Sequence, residues 1–357
     1  MGKKEKIYTA IGLMSGTSLD GIDAVLVRTD GENILEFLAA EFLAYPKEFQ
    51  KKIQTLATTD IPLNDILRLE REITEYHYKV TKHLLTKTHE ENVDVIGFHG
   101  QTIRHLPEEG LTWQIGDANY LSSKLNIPVV NDFRRRDMVN NGQGAPLVPL
   151  FHQALFAEQN KPCAVINIGG VANITYLGNS DIKAGDCGPG MGLLDAFIQQ
   201  NTSQLFDKDG EISISGSVNE GVLKKSLLLP FFSKHLPKSA DRYDFDEIDV
   251  SNLSLEDGSA TLMAITAEGI LSCLPKNPDK SLTVWLTGGG SKNQALVKYL
   301  QKQELTVKSI KDIGLRPDTL EAECFAWLAV RRLKNKPFSI PETTGCTHAS
   351  CGGVLTV

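Results

Sequence analysis

The pattern of apolar and polar residues predicts two units of the form strand, glycine loop, strand. Residues 7–27 read as two buried strands on either side of a loop, residues 12–21, which is rich in glycine and hydroxyl groups. Residues 163–177 repeat this design around Gly169 and Gly170. The two units begin roughly 155 residues apart, which is about one domain length. The pattern therefore predicts two lobes with one architecture.

The rest of the chain alternates helical periodicity with short apolar runs, as in an α/β protein. Further strands are predicted at residues 33–44, 92–98, 127–130, 281–286, within 302–312, and in the tail 343–357. Helices are predicted at residues 46–58, 64–88, 121–125, 147–156, 191–199, 257–274 (amphipathic) and 318–332. In the second of these helices, His77 and His83 are predicted to lie at the surface or rim.

Composition narrows the class of protein. The 357 residues, 41% apolar and 23% charged, suffice for a large core and two lobes. The net charge of −7 argues against a general nucleic-acid surface, and no apolar run is long enough to predict a membrane span. The first strand follows the start at once, so we do not expect a signal peptide. Six cysteines without a CxxC pair favour reduced thiols in a cytoplasmic protein over disulfides or a zinc site.

The first glycine loop has the chemistry of a phosphate site. Glycine lets the backbone approach an anion closely, and successive N–H groups can form an anion-binding concavity. Ser15, Thr17 and Ser18 add hydroxyl donors, whereas Asp20 would repel phosphate unless a cation lay between them. The loop therefore indicates a metal–nucleotide site, with an ordinary polar hairpin as the alternative.

Two polar clusters follow predicted strands. His99, Gly100, Gln101 and Thr102 come after the strand at 92–98, where a sugar could find mixed donors and acceptors, or where a capped turn could lie. Residues 131–137 hold three arginines between acids. One arginine is predicted to bind an anionic substrate group, and the others to pair with Asp132 and Asp137.

Asp186 precedes a Gly-Pro-Gly turn and a predicted helix, next to the second glycine hairpin. This position suits a general base that acts on water or a hydroxyl, and a helix cap is the alternative. Residues 287–290 form a strand–Gly-Gly-Gly–helix junction that could lie against adenine and ribose. Neither a P-loop motif nor a dinucleotide fingerprint occurs.

The ordered loops resemble those of the acetate and sugar kinase, heat-shock chaperone and actin superfamily. Within it, the chain is similar to the anhydro-N-acetylmuramic acid kinase family along almost its whole length. The segments that carry this similarity are residues 12–21, 100–105, 131–137, 142–147, 167–173, 188–190 and 287–290.

The resemblance implies a two-lobed actin-like ATPase fold of the ribonuclease H-like type, with the active site in the cleft between the lobes. Residues 1–145 would form the first lobe and residues 146–344 the second, with the tail 345–357 packing back on the first. The resemblance also implies ATP and Mg²⁺, an anhydro amino sugar of cell-wall recycling as substrate, and a homodimer.

The resemblance further assigns roles to residues. Asp186 would activate the water that attacks C1 of the sugar, and Glu321 would orient water or metal. The nucleotide would contact Gly16, Thr17, Ser18, Leu19, Asp20, Gly21, Ile22, Asp23, Gly169, Gly170, Asn173, Gly288, Gly289 and Gly290. The sugar would contact Ser15, His99, Gly100, Gln101, Thr102 and either Arg134 or Arg136. The metal ligands would be Asp20, Asp186 and Glu321.

One departure stands out. The family usually has Asn after Gly-Pro-Gly, and here Met191 stands there. Methionine cannot hydrogen-bond as asparagine does. This leaves open a kinase of another anhydrosugar such as levoglucosan. A second alternative, of a different class, is a non-catalytic sensor of ATP or sugar.

Overall fold

The computed structural model describes residues 6–16, 18–33, 35–59, 61–240, 244–276 and 282–357. Two compact units divide the chain: the first is Met1–Ala157 with Asp318–Val357, and the second is Glu158–Pro317. Residues 146–157 and 318–344 thus belong to the first unit, unlike the predicted division. The reason is the helix Leu320–Leu333, which packs on strands of the first unit.

The predicted strands and helices occur in the predicted order, and the structure adds the strands Leu111–Ile115 and Ile182–Gly188, which were not predicted. In the first unit the strands are β1 (Tyr8–Ser15), β2 (Gly21–Thr29), β3 (Leu35–Ala44), β4 (Val95–Leu106), β5 (Leu111–Ile115), β6 (Val129–Asn131) and, after the second unit's strands, β12 (Val354–Thr356). Its helices are α1 (Lys47–Thr58), α2 (Leu63–Thr88), α3 (Ala118–Leu125), α4 (Arg135–Val139), α5 (Pro149–Leu155), α12 (Leu320–Leu333) and α13 (Pro341–Thr344).

In the second unit the strands are β7 (Cys163–Ile168), β8 (Ala172–Leu177), β9 (Ile182–Gly188), β10 (Thr283–Thr287) and β11 (Thr306–Ser309). Its helices are α6 (Gly192–Asn201), α7 (Glu211–Ser215), α8 (Glu220–Ser226), α9 (Pro230–Ser233), α10 (Leu255–Cys273) and α11 (Gln294–Gln301). No helix among these described residues is long and apolar enough to span a membrane.

The two sheets share one strand plan. The first has the order β12-β6-β4-β1-β2-β3, with β5 paired to β4, and the second has the order β11-β10-β7-β8-β9. In each, an antiparallel meander of three strands (β1-β2-β3 or β7-β8-β9) is followed by two strands parallel to its first strand. The first sheet adds β12, antiparallel to β6 at its edge.

Helix α12 lies unusually close to the first sheet. An ideal Cβ on Gly12 would lie 1.8 Å from the carbonyl oxygen of Ala322, and one on Gly97 would lie 2.0 Å from that of Phe325. Gly12 and Gly97 are neighbours in the register of β1 and β4. Since no larger side chain fits there, this glycine pair allows the helix to cross the sheet.

The histidines of α2 differ from the prediction in one case. His77 is fully buried, packs edge-on against Phe98 with ring centroids 4.8 Å apart, and shares a hydrogen bond between Nδ1 and the Ile73 carbonyl at 2.9 Å. Burial lowers the pKa of His77 to about 4, so the side chain is neutral. The prediction of a surface position was wrong because the apolar face of α2 is wider than its periodicity indicated.

Helix α10 forms the centre of the second unit. Its residues 258–267 are buried without a break, because α6, α7, α8, α11 and the strands β8 and β9 surround it. It is therefore buried on all sides, and the predicted amphipathic character was wrong. Its first turn is capped by Ser254, whose Oγ accepts from the Asp257 N–H at 3.1 Å.

Candidate active-site groups of the two units

The first glycine loop is shorter than predicted, since β1 runs to Ser15 and β2 begins at Gly21. Of the loop between them, Thr17 lies outside the described residues. Ser18 Oγ donates to Asp20 Oδ1 at 2.6 Å, and Leu19 adopts a left-handed φ of 59°. The turn is therefore tight and polar, as a phosphate-binding loop would need to be.

Three residues of this segment that were predicted to contact a ligand are packed against other parts of the first unit. Ser15 is buried, and its Oγ donates to the carbonyl of Gly100 at 3.1 Å. An ideal Cβ on Gly21 would lie 2.4 Å from the Leu43 carbonyl oxygen, and Ile22 lies in the hydrophobic core. Gly21 and Ile22 can therefore offer a ligand only main-chain atoms.

Four carboxylates interact in the first unit. Burial raises the pKa of Asp23 to about 7, and the negative charges of Asp20, Glu321 and Asp318 raise it further. Such a concentration of negative charge attracts a cation. Among the described residues, however, no three His, Cys, Asp or Glu side chains form a group arranged to bind a metal ion. Mg²⁺ is usually held by one or two carboxylates with substrate phosphates, so this finding is compatible with a metal that arrives with a nucleotide.

The cluster at residues 99–102 lies within β4, which continues to Leu106 because it pairs with β5. The prediction that these residues follow the end of the strand was therefore wrong. Beside them is a cavity of about 160 Å³. Its lining is mostly polar and comprises Glu70, Phe98, His99, Gly100, Trp113, Gln114, Ile115, Gly116, Asn131, Asp132 and Arg135. An aromatic ring among mixed donors and acceptors suits a sugar.

His99 positions Arg134. The Nε and Nη2 atoms of Arg134 lie 3.1 and 3.0 Å from His99 Nε2, and Nη1 donates to the Gly144 carbonyl at 2.8 Å. Nε2 of His99 must then accept, so Nδ1 carries the proton and donates to the Gly100 carbonyl at 2.8 Å. Burial and the charge of Arg134 hold the pKa of His99 well below its usual value. His99 is therefore a neutral orienting group.

The geometry separates the two candidate arginines. Arg134 is half-buried, and its charge interacts with Glu321, whereas Arg136 is exposed on α4. Glu321 keeps contact with solvent, yet dense surrounding protein raises the pKa of its carboxyl while Arg134 lowers it. Arg135 pairs with Asp132 at 3.4 Å, as predicted for one of the arginines.

The predicted arginine partner Asp137 has a different role. It is buried and accepts from the Gly144 N–H at 2.7 Å and from the hydroxyls of Ser339 and Thr344. The aspartate therefore ties α4 to the segment after α12, and among the described residues no arginine forms an ion pair with it.

Among the predicted sugar contacts, Gln101 has a side-chain oxygen that is available as a hydrogen-bond acceptor. The side chain is fully buried, and Nε2 donates to the Gly16 carbonyl at 3.1 Å. Its Oε1 has no hydrogen-bond partner among the described residues. A buried amide oxygen without a partner is costly, so it is suited to accept from a ligand hydroxyl. Thr102, by contrast, already accepts from Gln114 Nε2 at 3.3 Å.

In the second unit, the turn at Gly169 and Gly170 joins β7 to β8. The N–H groups of Met191 and Gly192 donate to the carbonyls of Gly169 and Gly170, at 2.8 and 3.0 Å. An ideal Cβ on Gly170 would meet no described atom within 4 Å. The start of α6 thus holds the turn, and one face of its backbone stays open to a ligand.

Register places three polar side chains in one row across this sheet. Asn167 on β7 is paired with Asn173 on β8, which is paired with Asp186 on β9. Residues paired across strands project to the same face. The sequence prediction included Asn173 and Asp186 and missed Asn167, although the two asparagines flank the Gly-Gly turn at similar distances.

Asp186 lies in β9, before the Gly-Pro-Gly turn. Its N–H donates to the Lys238 carbonyl at 2.7 Å, and its Oδ2 accepts from the Ala240 N–H at 2.8 Å. Burial raises the pKa of Asp186 to about 6, although the Ala240 hydrogen bond and the Lys238 charge lower it. The residue at the cap of α6 is Met191, so the helix-cap alternative for Asp186 is excluded. A partly buried carboxyl with this pKa suits a general base near neutral pH.

The three glycines after β10 divide into two kinds. Gly288 has a φ of 77°, and an ideal Cβ there would lie 2.4 Å from Asn167 Oδ1, while one on Gly290 would meet Ile168 and Met191. Both are needed for packing. Gly289 has no described atom within 4 Å of an ideal Cβ, so its backbone is the part open to a ligand.

Met191 is a core residue. It is 7% exposed and packs within the hydrophobic core of the second unit beside Ile168 and Gly290. Its side chain therefore gives no support for a substrate preference different from that of the family.

Two α/β units with the same strand plan, each with a glycine turn after the first strand, define the two-lobed actin-like ATPase class to which many sugar kinases belong. A family model described as anhydro-N-acetylmuramic acid kinase matches residues 8–357. The chain therefore belongs to the anhydro-N-acetylmuramic acid kinase family.

Curated relatives are similar in sequence to this chain over nearly their whole length. The anhydro-N-acetylmuramic acid kinase of Zymomonas mobilis is 42% identical over 360 residues, covering 96% of this chain and 98% of the relative. That of Bradyrhizobium diazoefficiens is 39% identical over 363 residues (98% and 99%). A solved ROK family glucokinase from Streptomyces griseus is similar at 13% identity and a TM-score of 0.42, over 90% of this chain and 99% of that one.

Proposed function

We propose that this chain is an ATP-dependent kinase that opens 1,6-anhydro-N-acetylmuramic acid with water and phosphorylates O6. The product is N-acetylmuramate 6-phosphate, an intermediate in cell-wall sugar recycling. The observation that supports this most is Asp186: a carboxyl held by the Ala240 N–H, with a pKa of about 6, in one row with Asn167 and Asn173.

The reaction assigns a separate task to each group. Asp186 takes a proton from water, the water oxygen bonds to C1, and the C1–O6 bond breaks. O6 then takes the γ-phosphoryl group of ATP, and ADP leaves. Glu321 orients the water.

The nucleotide is assigned to the glycine turns. The open backbone faces at Gly170 and Gly289 leave room for close approach of phosphate and adenosine, and the polar turn at Gly16–Asp20 contributes N–H donors. Mg²⁺ supplies neutralisation of the triphosphate charge when bound. Of the predicted ligands Asp20, Asp186 and Glu321, we propose that one or two hold the ion together with the substrate phosphates, because carboxylate oxygens are the donors that Mg²⁺ prefers.

The sugar is assigned to the groups around β4. Gln101 Oε1 accepts from a sugar hydroxyl, and Arg134, held by His99, binds the lactyl carboxylate. The same proposal includes a homodimer and a cytoplasmic location. Light scattering tests the first, since a monomeric mass at micromolar concentration would contradict it.

A substrate panel tests the function. Mg-ATP is incubated with 1,6-anhydro-N-acetylmuramic acid, with the same sugar lacking its lactyl group, and with levoglucosan, and ADP release is followed. We expect the lactyl-bearing sugar to have the highest kcat/KM, since the other two sugars have no carboxylate for Arg134 to bind. Turnover of levoglucosan alone would assign another substrate, and no turnover of any sugar would favour a binding protein.

A further inference from the structure

Asp137 lies one hydrogen bond away from the residue whose main chain holds Arg134. The Asp137 side chain is buried, and its Oδ2 accepts from the Gly144 N–H at 2.7 Å. The carbonyl of the same glycine accepts from Arg134 Nη1 at 2.8 Å. Gly144 thus connects the buried carboxylate to the guanidinium that the proposed function assigns to the lactyl group of the sugar.

The contacts of Arg134 leave one end of its guanidinium for a ligand. The Nε–H and one N–H of Nη2 face His99 Nε2, and one N–H of Nη1 donates to the Gly144 carbonyl. The two remaining N–H groups, one on Nη1 and one on Nη2, form the end-on fork that matches a carboxylate. Since His99 holds one edge of the guanidinium and Gly144 holds another, the direction of this fork depends on both.

The loop that carries Gly144 is folded around Asp137. The Gly142 N–H donates to the Asp137 carbonyl at 2.9 Å, and an ideal Cβ on Gly142 would lie 2.2 Å from Asp137 Oδ2. Gly144 has a left-handed φ of 70°, and an ideal Cβ there would lie 2.8 Å from Met138 Cγ. The backbone between α4 and Gly144 is therefore packed closely against the aspartate.

The chain after α12 holds the other side of the carboxylate. The hydroxyls of Ser339 and Thr344 donate to Asp137 Oδ1, and the Thr344 carbonyl accepts from the Gln143 N–H at 2.9 Å. Removal of one member of such a buried network leaves the other polar groups unpaired, which is costly. Loss of the carboxylate should therefore release the Gly144 peptide from its position.

We infer that Asp137 is a positioning residue for Arg134: through Gly144 it fixes the guanidinium in the direction that receives the carboxylate of the sugar. The role depends on hydrogen bonds and not on charge. Asp137→Asn can keep these bonds, since the amide oxygen accepts from the Gly144 N–H and the amide nitrogen donates to the hydroxyl oxygens of Ser339 and Thr344. Asp137→Ala cannot. The effect on the sugar rests on the proposed function, whereas the effect on Arg134 does not.

The first test follows Arg134 without any turnover. The full chain is labelled isotopically at the arginine nitrogens for NMR, and the Nε–H resonance of Arg134 is identified by its loss in Arg134→Lys. We expect Asp137→Ala to shift this resonance and to speed its exchange with water about tenfold or more. Asp137→Asn should leave both as in the parent.

A matched control is available in the first unit. Asp30 is also a buried aspartate, and its Oδ1 accepts from the N–H groups of Glu32 and Asn33 at 2.9 and 3.0 Å. Asp30→Ala therefore removes a comparable buried acceptor that has no contact with Gly144. We expect this variant to keep the Arg134 resonance of the parent.

The second test measures selectivity. The kcat/KM of each variant is determined for 1,6-anhydro-N-acetylmuramic acid and for the same sugar lacking its lactyl group. Asp137→Ala should lose about tenfold more on the lactyl-bearing sugar, because only that sugar has a carboxylate for Arg134. A purely structural role would lower both values alike, as we expect of any loss in Asp30→Ala. Asp137→Asn should restore the parental selectivity.

Two results would overturn the inference. One is an unchanged Arg134 resonance in Asp137→Ala, and the other is an Asp137→Asn variant that behaves like Asp137→Ala, which would assign the effect to the charge of Asp137 on Arg134. If Asp137→Ala does not fold, Thr344→Val removes one donor to the carboxylate at nearly constant volume. It should also shift the resonance, and no shift would overturn the inference. If the resonance responds as expected and the parent does not act on the sugar, only the proposed function is contradicted.

Discussion

Replacement of Asp186 by Asn is the most informative substitution. The amide oxygen can still accept from the Ala240 N–H, so local geometry is kept while the base is lost. A general base contributes about 10²–10⁴-fold, so turnover should fall by that factor. Nucleotide affinity measured without Mg²⁺ should stay close to that of the parent, because the amide occupies the same volume.

The same substitution should make the protein more stable at neutral pH. The rise of the Asp186 pKa from 3.8 to about 6 corresponds to about 3 kcal/mol, and the partial solvent contact of the side chain reduces this to about 1–3 kcal/mol. The folded chain binds this proton more tightly than the unfolded chain. The stability that protonation of Asp186 contributes is therefore full below pH 4 and is lost as pH rises through 6. Asn stays neutral, so the variant should gain at pH 8 and match the parent at pH 4.

Two measurements check this pair of effects: urea unfolding at pH 4 and pH 8, and the pH dependence of kcat/KM. The kcat/KM of the parent should fall tenfold per pH unit below about pH 6, as the base becomes protonated. Asp195 is one competing explanation, since burial raises its pKa to about 6 as well, and Asp23, whose pKa burial raises to about 7, is another. Asp195→Asn should keep the fall of kcat/KM below about pH 6. Loss of this fall in Asp195→Asn, or turnover of Asp186→Asn at the parental rate, would show that Asp186 is not the base.

The other substitutions test packing and binding separately. Gly12→Ala should destabilise by about 3 kcal/mol or more in urea unfolding, because its Cβ would overlap the Ala322 carbonyl, and parental stability would contradict the close helix crossing. Gly289→Ala should keep the parental stability and weaken ATP binding in calorimetry; unchanged affinity would remove this glycine from the site. Gln101→Met should raise KM for the sugar about tenfold, and an unchanged KM would refute the contact. Met191→Asn should lower stability by about 1–3 kcal/mol without raising turnover, and a gain in turnover would restore a role for this position at the substrate.

Sequence reasoning succeeded where the information is local. The two hairpins and most helices follow from short-range periodicity and turn residues, and their order pointed to the family. It was less successful where strand pairing decides. β4 extends through His99 to Leu106 because β5 pairs with it, although residues 99–106 alone do not read as a buried strand.

Tertiary contacts explain the remaining differences. The sequence does not distinguish Gly97 from other glycines in strands, and its special role comes from contact with α12. Likewise, the helical periodicity does not show that His77 is buried, because this burial depends on contact with Phe98. The polar row that includes Asn167 arises from register between strands, which no single segment encodes. The residue types in the loops were thus open to prediction from the sequence, whereas the packing contacts at Gly21, Ile22 and Gly288 were not.

The central claim is that one reaction adds both water and a phosphoryl group to the anhydro sugar. The direct measurement is the product formed from 1,6-anhydro-N-acetylmuramic acid and Mg-ATP, identified by mass spectrometry and phosphorus NMR. We predict a single phosphomonoester on C6 whose mass exceeds that of the substrate by one phosphoryl group and one water. A phosphorylated sugar that keeps its anhydro ring, or ADP formation without a phosphosugar, would contradict the account.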